Sequence, residues 1–245
     1  MSLPQKVPVA TLGSPRIGRR RELKFALESY WSGKSSAAEL LETAKALRAA
    51  NWTEQRDRGI TKIPSNDFSL YDHVLDTAAM VGAIPAAYGW SGGEVPLDTY
   101  FAMARGSRGD VPAESGAEGC DHGCADPRHG VPALEMTKWF DTNYHYMVPQ
   151  FSSDQAFALT STKPVDEFLE ARALGIHTRP VILGPVTLLK LGKSQEEGFD
   201  PLALLPRLLP VYEELLRRLK LAGADWVQID EPALVLDLVP NERDA

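Results

Sequence analysis

Arg179-Pro-Val-Ile-Leu-Gly-Pro185 and, further on, Trp226-Val-Gln-Ile-Asp-Glu-Pro232 decide the fold. Val181-Ile-Leu183 is a short apolar run, and Gly184-Pro185 stops it, so the stretch predicts a buried strand. Val186 to Leu191 predicts a short helix. Leu202 to Ala222 predicts a long one, with Leu205, Leu208, Leu209, Tyr212, Leu215, Leu216 and Leu219 on its buried side. Pro206 and Pro210 are the positions at which it would split. Trp226 to Ile229 is the next strand, and Asp230-Glu231 follow it directly. Strand, helix and strand in this order imply a parallel sheet with right-handed crossovers. Polar residues just beyond a strand occupy the active-site rim of a (β/α)8 barrel.

Working outward, Val165 to Leu174 predicts a helix, as do Leu97 to Arg105 and Leu70 to Val81, the last capped by Asn66 or Asp67. Ile60 to Ile63 predicts a strand closed by Pro64. A capping box, Ser36-Ala-Ala-Glu39, opens a helix to about Arg58 with Leu40, Leu41, Ala44 and Leu47 on one face. Arg20 to Trp31 predicts a helix through Leu23, Ala26, Leu27 and Tyr30, ended by Gly33. Ala10 to Gly13 predicts a short strand before a turn at Ser14-Pro15. With only about five strand candidates, a TIM-type barrel of eight is expected to be incomplete at Ala245, leaving two unpaired edges.

Length and composition narrow the function. A chain of 245 residues with 24% charged and 44% hydrophobic residues suits one large domain or two small ones. The net charge of -7 argues against a nucleic-acid partner, because phosphate binding needs a Lys/Arg surplus. No apolar run approaches the roughly 20 residues that span a bilayer, and Met1 to Val9 has no signal-peptide core. The expectation is a cytoplasmic protein without a membrane partner. Gly106 to Gly130, rich in Gly, Asp, Glu, Ser and Pro, predicts a flexible surface loop, with order returning at Leu134.

Four groups of residues carry chemical interest. Arg16, Arg19, Arg20, Arg21 and Lys24 gather at a helix start, where free N–H groups and the dipole attract anions; the plain alternative is a solvated basic turn. Glu135 to Tyr146 packs four aromatics, two acids, Lys138, Asn143 and His145 into one segment, which suits either a ligand site or an aromatic core piece with hydrogen-bonded polar tips. Asp230-Glu231 could bind a cation or an amine, work as acid and base, or merely cap a turn. Cys120, His122, Cys124 and His129 are metal-ligand types, yet Cys-x3-Cys with an internal His matches no strong zinc pattern.

Leu12-Gly-Ser-Pro-Arg-Ile-Gly18, Arg21-Glu-Leu-Lys24 and Ser29-Tyr-Trp-Ser-Gly33 resemble the start of cobalamin-independent methionine synthase. Asp67-Phe68, Tyr71-Asp-His-Val-Leu75, Glu135 to Phe140, Asn143 to Tyr146, Arg179 to Pro185 and Val227 to Leu234 continue the resemblance in order along nearly the whole chain. The resemblance implies a methyltransferase that moves a methyl group from 5-methyltetrahydropteroyltri-L-glutamate to L-homocysteine, giving methionine. It implies two (β/α)8 barrels, with zinc and its Cys, His and Glu ligands in a C-terminal catalytic barrel that lies outside this stretch. This chain alone is then expected to be inactive and to bind no metal, with the C-terminal barrel as its partner. The family's contacts to the folate and its polyglutamate tail fall here on Arg21, Glu22, Leu23, Lys24, Lys138 and Asn143. No catalytic residue or metal ligand is carried over, and Asp230-Glu231 becomes a structural relic. Two departures stand out: Ser14 replaces the usual Phe, and Gly106 to Gly130 resembles a lineage-specific insertion. The alternative is a standalone folate- or polyglutamate-binding module without catalysis.

Overall fold

The computed structural model describes residues 7–107 and 130–243, apart from the side chain of Asn241. Cys120, His122, Cys124, His129 and nearly all of the predicted loop lie outside the described residues. So does most of the Met1–Val9 stretch.

The chain is mixed α/β and forms two compact units, each assembled from separated segments. The first comprises residues 1–73, 162–184 and 212–231. Its helix α1 (Glu22–Trp31) buries Leu23 and Leu27, one turn apart, and packs against α2 (Ala37–Asp57). The capping box forms as predicted: Glu39 N–H donates to Ser36 Oγ at 3.3 Å, and Ser36 N–H donates to Glu39 Oε2 at 2.7 Å. Within α2, Leu40 and Ala44 are buried, whereas Leu41 points outward. One seam of positions spaced four apart is covered, and Leu41 sits a helical step beyond it.

Strand β1 (Pro64–Ser65) pairs in parallel with a strand at Arg179–Leu183. The expected strand over Ile60–Ile63 is therefore displaced: Lys62 makes only an isolated parallel bridge with Ala10, and Pro64 begins the strand rather than closing it. A first strand position suits proline, which has no N–H to contribute. Trp52 Nε1 donates to the Pro64 carbonyl at 3.0 Å, and Trp52 packs with Ile63, Ala171 and Ile176. The predicted Ala10–Gly13 strand reduces to that bridge at Ala10.

The second unit comprises residues 74–161, 185–211 and 232–245. Helix α3 (His73–Met80) starts later than Leu70, and neither Asn66 nor Asp67 caps it. Instead, Asn66 N–H donates to Glu167 Oε2 at 3.0 Å and Asp67 accepts from Ser14. Helix α4 (Leu97–Arg105) has the predicted bounds, and Leu134 N–H returns to the Met103 carbonyl. Strands β2 (Met136–Lys138) and β3 (His145–Met147) form an antiparallel hairpin. Strand β4 (Gln150–Phe151) pairs in parallel with a strand at Lys193–Ser194.

Back in the first unit, α5 (Lys163–Ala173) packs on β5 (Arg179–Leu183). In the second, α6 (Pro185–Leu191) precedes β6 (Lys193–Ser194). The predicted long helix is a 3-10 turn, Pro201–Leu204, running into α7 (Leu205–Ala222). Pro206 lies in the first turn of α7, where its missing N–H costs nothing. Pro210 lies inside α7 without dividing it. Leu205, Leu208, Val211, Tyr212, Leu215 and Leu219 are buried, and Leu209, placed in the stripe by sequence, is 47% exposed. Strand β7 (Gln228–Asp230) pairs in parallel with β5, so the first unit's sheet runs β1-β5-β7; α8 (Pro240–Arg243) ends the described chain. Among the described residues, no helix is long and apolar enough to cross a membrane.

Candidate functional site

The first unit presents the basic turn at the start of α1. Ile17 and Gly18 close over it: Arg21 N–H donates to the Gly18 carbonyl at 3.2 Å and Leu23 N–H to the Ile17 carbonyl at 3.1 Å. Gly18 has φ +83, a conformation that strains any side chain, and a Cβ there would lie 2.2 Å from Glu22 Oε2 and 2.9 Å from Leu47 Cδ2, so both side chains would have to shift for a larger residue. Arg21, the N-cap, is left-handed with φ 64, an unusual state for a long side chain. Arg19, Arg20, Arg21 and Lys24 are exposed. Arg19 pairs with Glu54 at 2.7 Å, and Lys24 lies 3.6 Å from Glu28 on the next helical turn. Among the described residues, the Arg21 side chain makes no hydrogen bond or ion pair.

Glu22 turns back on this turn, accepting from Arg20 N–H at 2.9 Å. Its own backbone N–H and that of Arg20 hold its carboxyl below the usual range. Leu23 is fully buried, so its side chain anchors the turn from below. Glu22 and Leu23 thus shape the turn, while Arg21 and Lys24 offer charge.

In the second unit, Lys138 and Asn143 belong to the β2–β3 hairpin. Lys138 stands opposite His145 in the register. The connecting turn is locally closed: Trp139 N–H donates to the Tyr144 carbonyl at 2.7 Å, Thr142 Oγ1 to the Trp139 carbonyl at 2.6 Å, and His145 Nδ1 lies 3.0 Å from the Asn143 carbonyl. Phe140 takes φ 49 in this turn. Trp139 meets Phe140 and Tyr146 edge to face, at 5.1 and 5.8 Å. Tyr146 is buried and donates to the Leu191 carbonyl at 3.0 Å. Lys138, Asn143, Tyr144 and His145 are exposed. Tyr146 is thus a core aromatic with a bonded tip, as one of the two sequence readings expected; Met147 beside it is buried as well, and His145 faces outward.

Asp230 ends β7 and accepts from Gln228 Nε2 at 2.6 Å. Glu231 packs so close to Gly184 that a Cβ there would lie 2.0 Å from its carboxyl carbon. Among the described residues, no group of three or more His, Cys, Asp or Glu could hold a metal ion.

One polar group was not legible as such. Asn66 is left-handed, with φ 63; its Nδ2 donates to the Val181 carbonyl at 2.8 Å, and its Oδ1 accepts from Lys163 Nζ at 2.7 Å. Lys163 Nζ also lies 3.1 Å from Glu167 Oε1, and Arg48 bonds Glu170 through two nitrogens. These partners are far apart in sequence, so no local pattern announces them.

The family model described as "Cobalamin-independent synthase, N-terminal domain" matches residues 8–245. The chain is 78% identical over 237 residues to a 5-methyltetrahydropteroyltriglutamate–homocysteine methyltransferase of Mesorhizobium japonicum, covering 97% of this chain and 30% of that protein. A protein of the same name from Caulobacter vibrioides is 69% identical over 237 residues, with the same coverage of 97% and 30%. Another, from Parvibaculum lavamentivorans, is 57% identical over 229 residues, covering 94% of this chain and 28% of that protein. The chain thus spans about 30% of the length of the first two relatives. With nearly every residue matched by the family model, the chain belongs to the cobalamin-independent synthase family, as its N-terminal domain.

Proposed function

We propose that this chain is the folate-holding N-terminal part of a methyltransferase that moves a methyl group from 5-methyltetrahydropteroyltri-L-glutamate to L-homocysteine, forming methionine. The relatives' shared name supports the reaction and both substrates. The observation that carries the binding role is the exposed basic turn of α1. A triglutamate tail bears several carboxylates, and Arg21 and Lys24 offer exposed cations at the start of α1, where the helix dipole adds to the attraction. On the second unit, Lys138 offers a further cation and Asn143 a neutral hydrogen-bonding group. Glu22 and Leu23 set the conformation of the turn rather than supplying charge.

The parallel β1-β5-β7 sheet, with Asp230 and Glu231 at its carboxyl end, supports a (β/α)8-type barrel as the parent architecture. Zinc belongs to the family chemistry, but the described residues of this chain do not fit a zinc site, so no step is assigned to the metal here. The catalytic partner in this reading is a C-terminal zinc barrel.

Titration of the chain with 5-methyltetrahydropteroyl monoglutamate and triglutamate tests the binding role. Lys24→Ala or Lys138→Ala is expected to weaken the triglutamate by about 1.5–3 kcal/mol and to leave the monoglutamate nearly unchanged. Equal losses for the two ligands would refute tail binding.

A further inference from the structure

The stretch Thr11–Arg16, which leads into the basic turn, is fastened by distant residues: Thr11 Oγ1 donates to Gln55 Oε1 at 2.5 Å, and three further bonds involve the backbone or Arg16. Arg179 Nη2 donates to the Thr11 carbonyl at 3.1 Å, Ser14 N–H donates to Asp67 Oδ2 at 3.2 Å, and Arg16 Nη1 donates to the Ser69 carbonyl at 2.7 Å. Of these bonds, only the one from Ser14 ends on an ionisable acceptor. Gly13 makes it possible: it adopts φ +131, and a Cβ there would lie 2.3 Å from Asp67 Oδ2. The carboxylate therefore occupies space that any other residue at position 13 would claim.

Asp67 is itself held in place. Left-handed Asn66, just before it, is fixed through its N–H to Glu167, its Nδ2 to the Val181 carbonyl and its Oδ1 to Lys163. The charged groups around this cluster are Glu167 and Lys163 on α5, Arg48 on α2 at 3.7 Å from Glu167, and Arg16 in the loop. His73, 3.5 Å from Asp72, is the nearby histidine in sequence.

We propose that Asp67 is a positioning residue for the anion-binding turn: by accepting the Ser14 N–H in the space left by Gly13, it fixes the loop that presents Arg21 and Lys24. This inference rests on the tail-binding reading above. Burial pushes the Asp67 carboxyl up to about 6; Glu167 adds to the rise, while the Ser14 N–H and Lys163 oppose it. Asp67 thus changes charge in a range where the carboxylates of a glutamate tail, with ordinary values near 4, stay ionised. A charged acceptor holds an N–H more strongly than a neutral one. Acidification therefore loosens the loop.

The test is titration of the full chain with tri-γ-L-glutamate at pH 7.5 and pH 5.5. The parent chain is expected to bind roughly two- to fourfold more weakly at the lower pH, where about a quarter of Asp67 stays charged. Asp67→Asn keeps an oxygen acceptor but cannot titrate, so its affinity is expected to be flat. The variant retains every histidine, so a slope lost with it belongs to Asp67. Asp67→Ala is expected to bind weakly at both pH values, and Lys24→Ala is expected to cost less in that background than in the parent. A purely Coulombic effect of neutralising Asp67 would strengthen anion binding at pH 5.5. A flat or reversed slope in the parent chain overturns the proposal, as does strict additivity of Asp67→Ala with Lys24→Ala. The two pH arms of the parent chain need no variant to fold. If Lys24→Ala weakens binding while pH and the Asp67 variants do not, this inference alone fails. If Lys24→Ala has no effect, the tail-binding reading fails and takes the inference with it.

Discussion

The basic turn of α1 and the aromatic β2–β3 hairpin are both proposed folate contacts, yet they are built in opposite ways. The hairpin closes on itself: Trp139 bonds Tyr144, Thr142 bonds Trp139, and His145 lies against Asn143. The basic turn instead depends on residues remote in sequence, with Arg179 holding Thr11, Asp67 holding Ser14 and Ser69 holding Arg16. A locally closed element keeps its shape with little help from its surroundings. A loop tied by long-range bonds inherits its shape from the packing of other elements. The turn is therefore the part whose charge display can be altered from a distance.

The largest expected effect breaks the comparison from below. Leu23, fully buried under the turn, is expected to cost about 2–5 kcal/mol on Leu23→Ala in urea unfolding, through a cavity, and to reduce tri-γ-L-glutamate affinity as well. Met136 on the hairpin is 49% exposed, and Met136→Ala is expected to stay within about 0.5 kcal/mol. Similar losses for the two would mean that the turn is no more dependent on its core than the hairpin.

The next prediction concerns pH. The folded Asp67 carboxyl keeps its proton up to about pH 6, whereas an unfolded aspartate releases it near 3.9. Between those values the folded chain binds more protons, so this group's contribution to stability falls as pH rises through about 6 and stays lower above it. Asp67→Asn removes that dependence. In urea unfolding it is expected to match the parent near pH 4 and to gain on it at pH 7.5. A difference that is constant with pH would disprove a raised Asp67 carboxyl.

The smallest effect sharpens the hairpin's side of the comparison. Tyr146→Phe removes the hydroxyl that reaches the Leu191 carbonyl and is expected to cost about 0.5–1.5 kcal/mol by thermal or urea unfolding, with tri-γ-L-glutamate affinity unchanged. A drop in affinity would show that the hairpin, too, depends on distant support.

Most helices were legible because their signals are local. The α4 bounds agree residue for residue, and the Ser36–Glu39 box opens α2 as its pattern predicts. The strands were less so. Two-residue pairings such as β4 with β6 are too short for any periodicity, and β1 consists of a proline and a serine that no strand propensity favours. Leu41 and Leu209 match an apolar pattern but face outward, since periodicity marks an apolar stripe without fixing how much of it other elements cover. Of the candidate site, the cations of the basic turn and the mixed character of Glu135 to Tyr146 could be seen directly. Asn66 and Asp67, in contrast, looked like helix caps, which is the usual role of such residues beside an apolar run.

By itself, the sequence determined the α/β class, the family and the places where charge and aromatic surface gather, since each depends on residue type and short-range order. Only the tertiary structure decided that Asn66 and Asp67 leave the helix start to hold the α1 loop, and that Leu23 supports the turn while Arg21 faces outward. Those outcomes depend on which distant groups compete for a hydrogen bond or a buried position, and that competition exists only once the elements have packed.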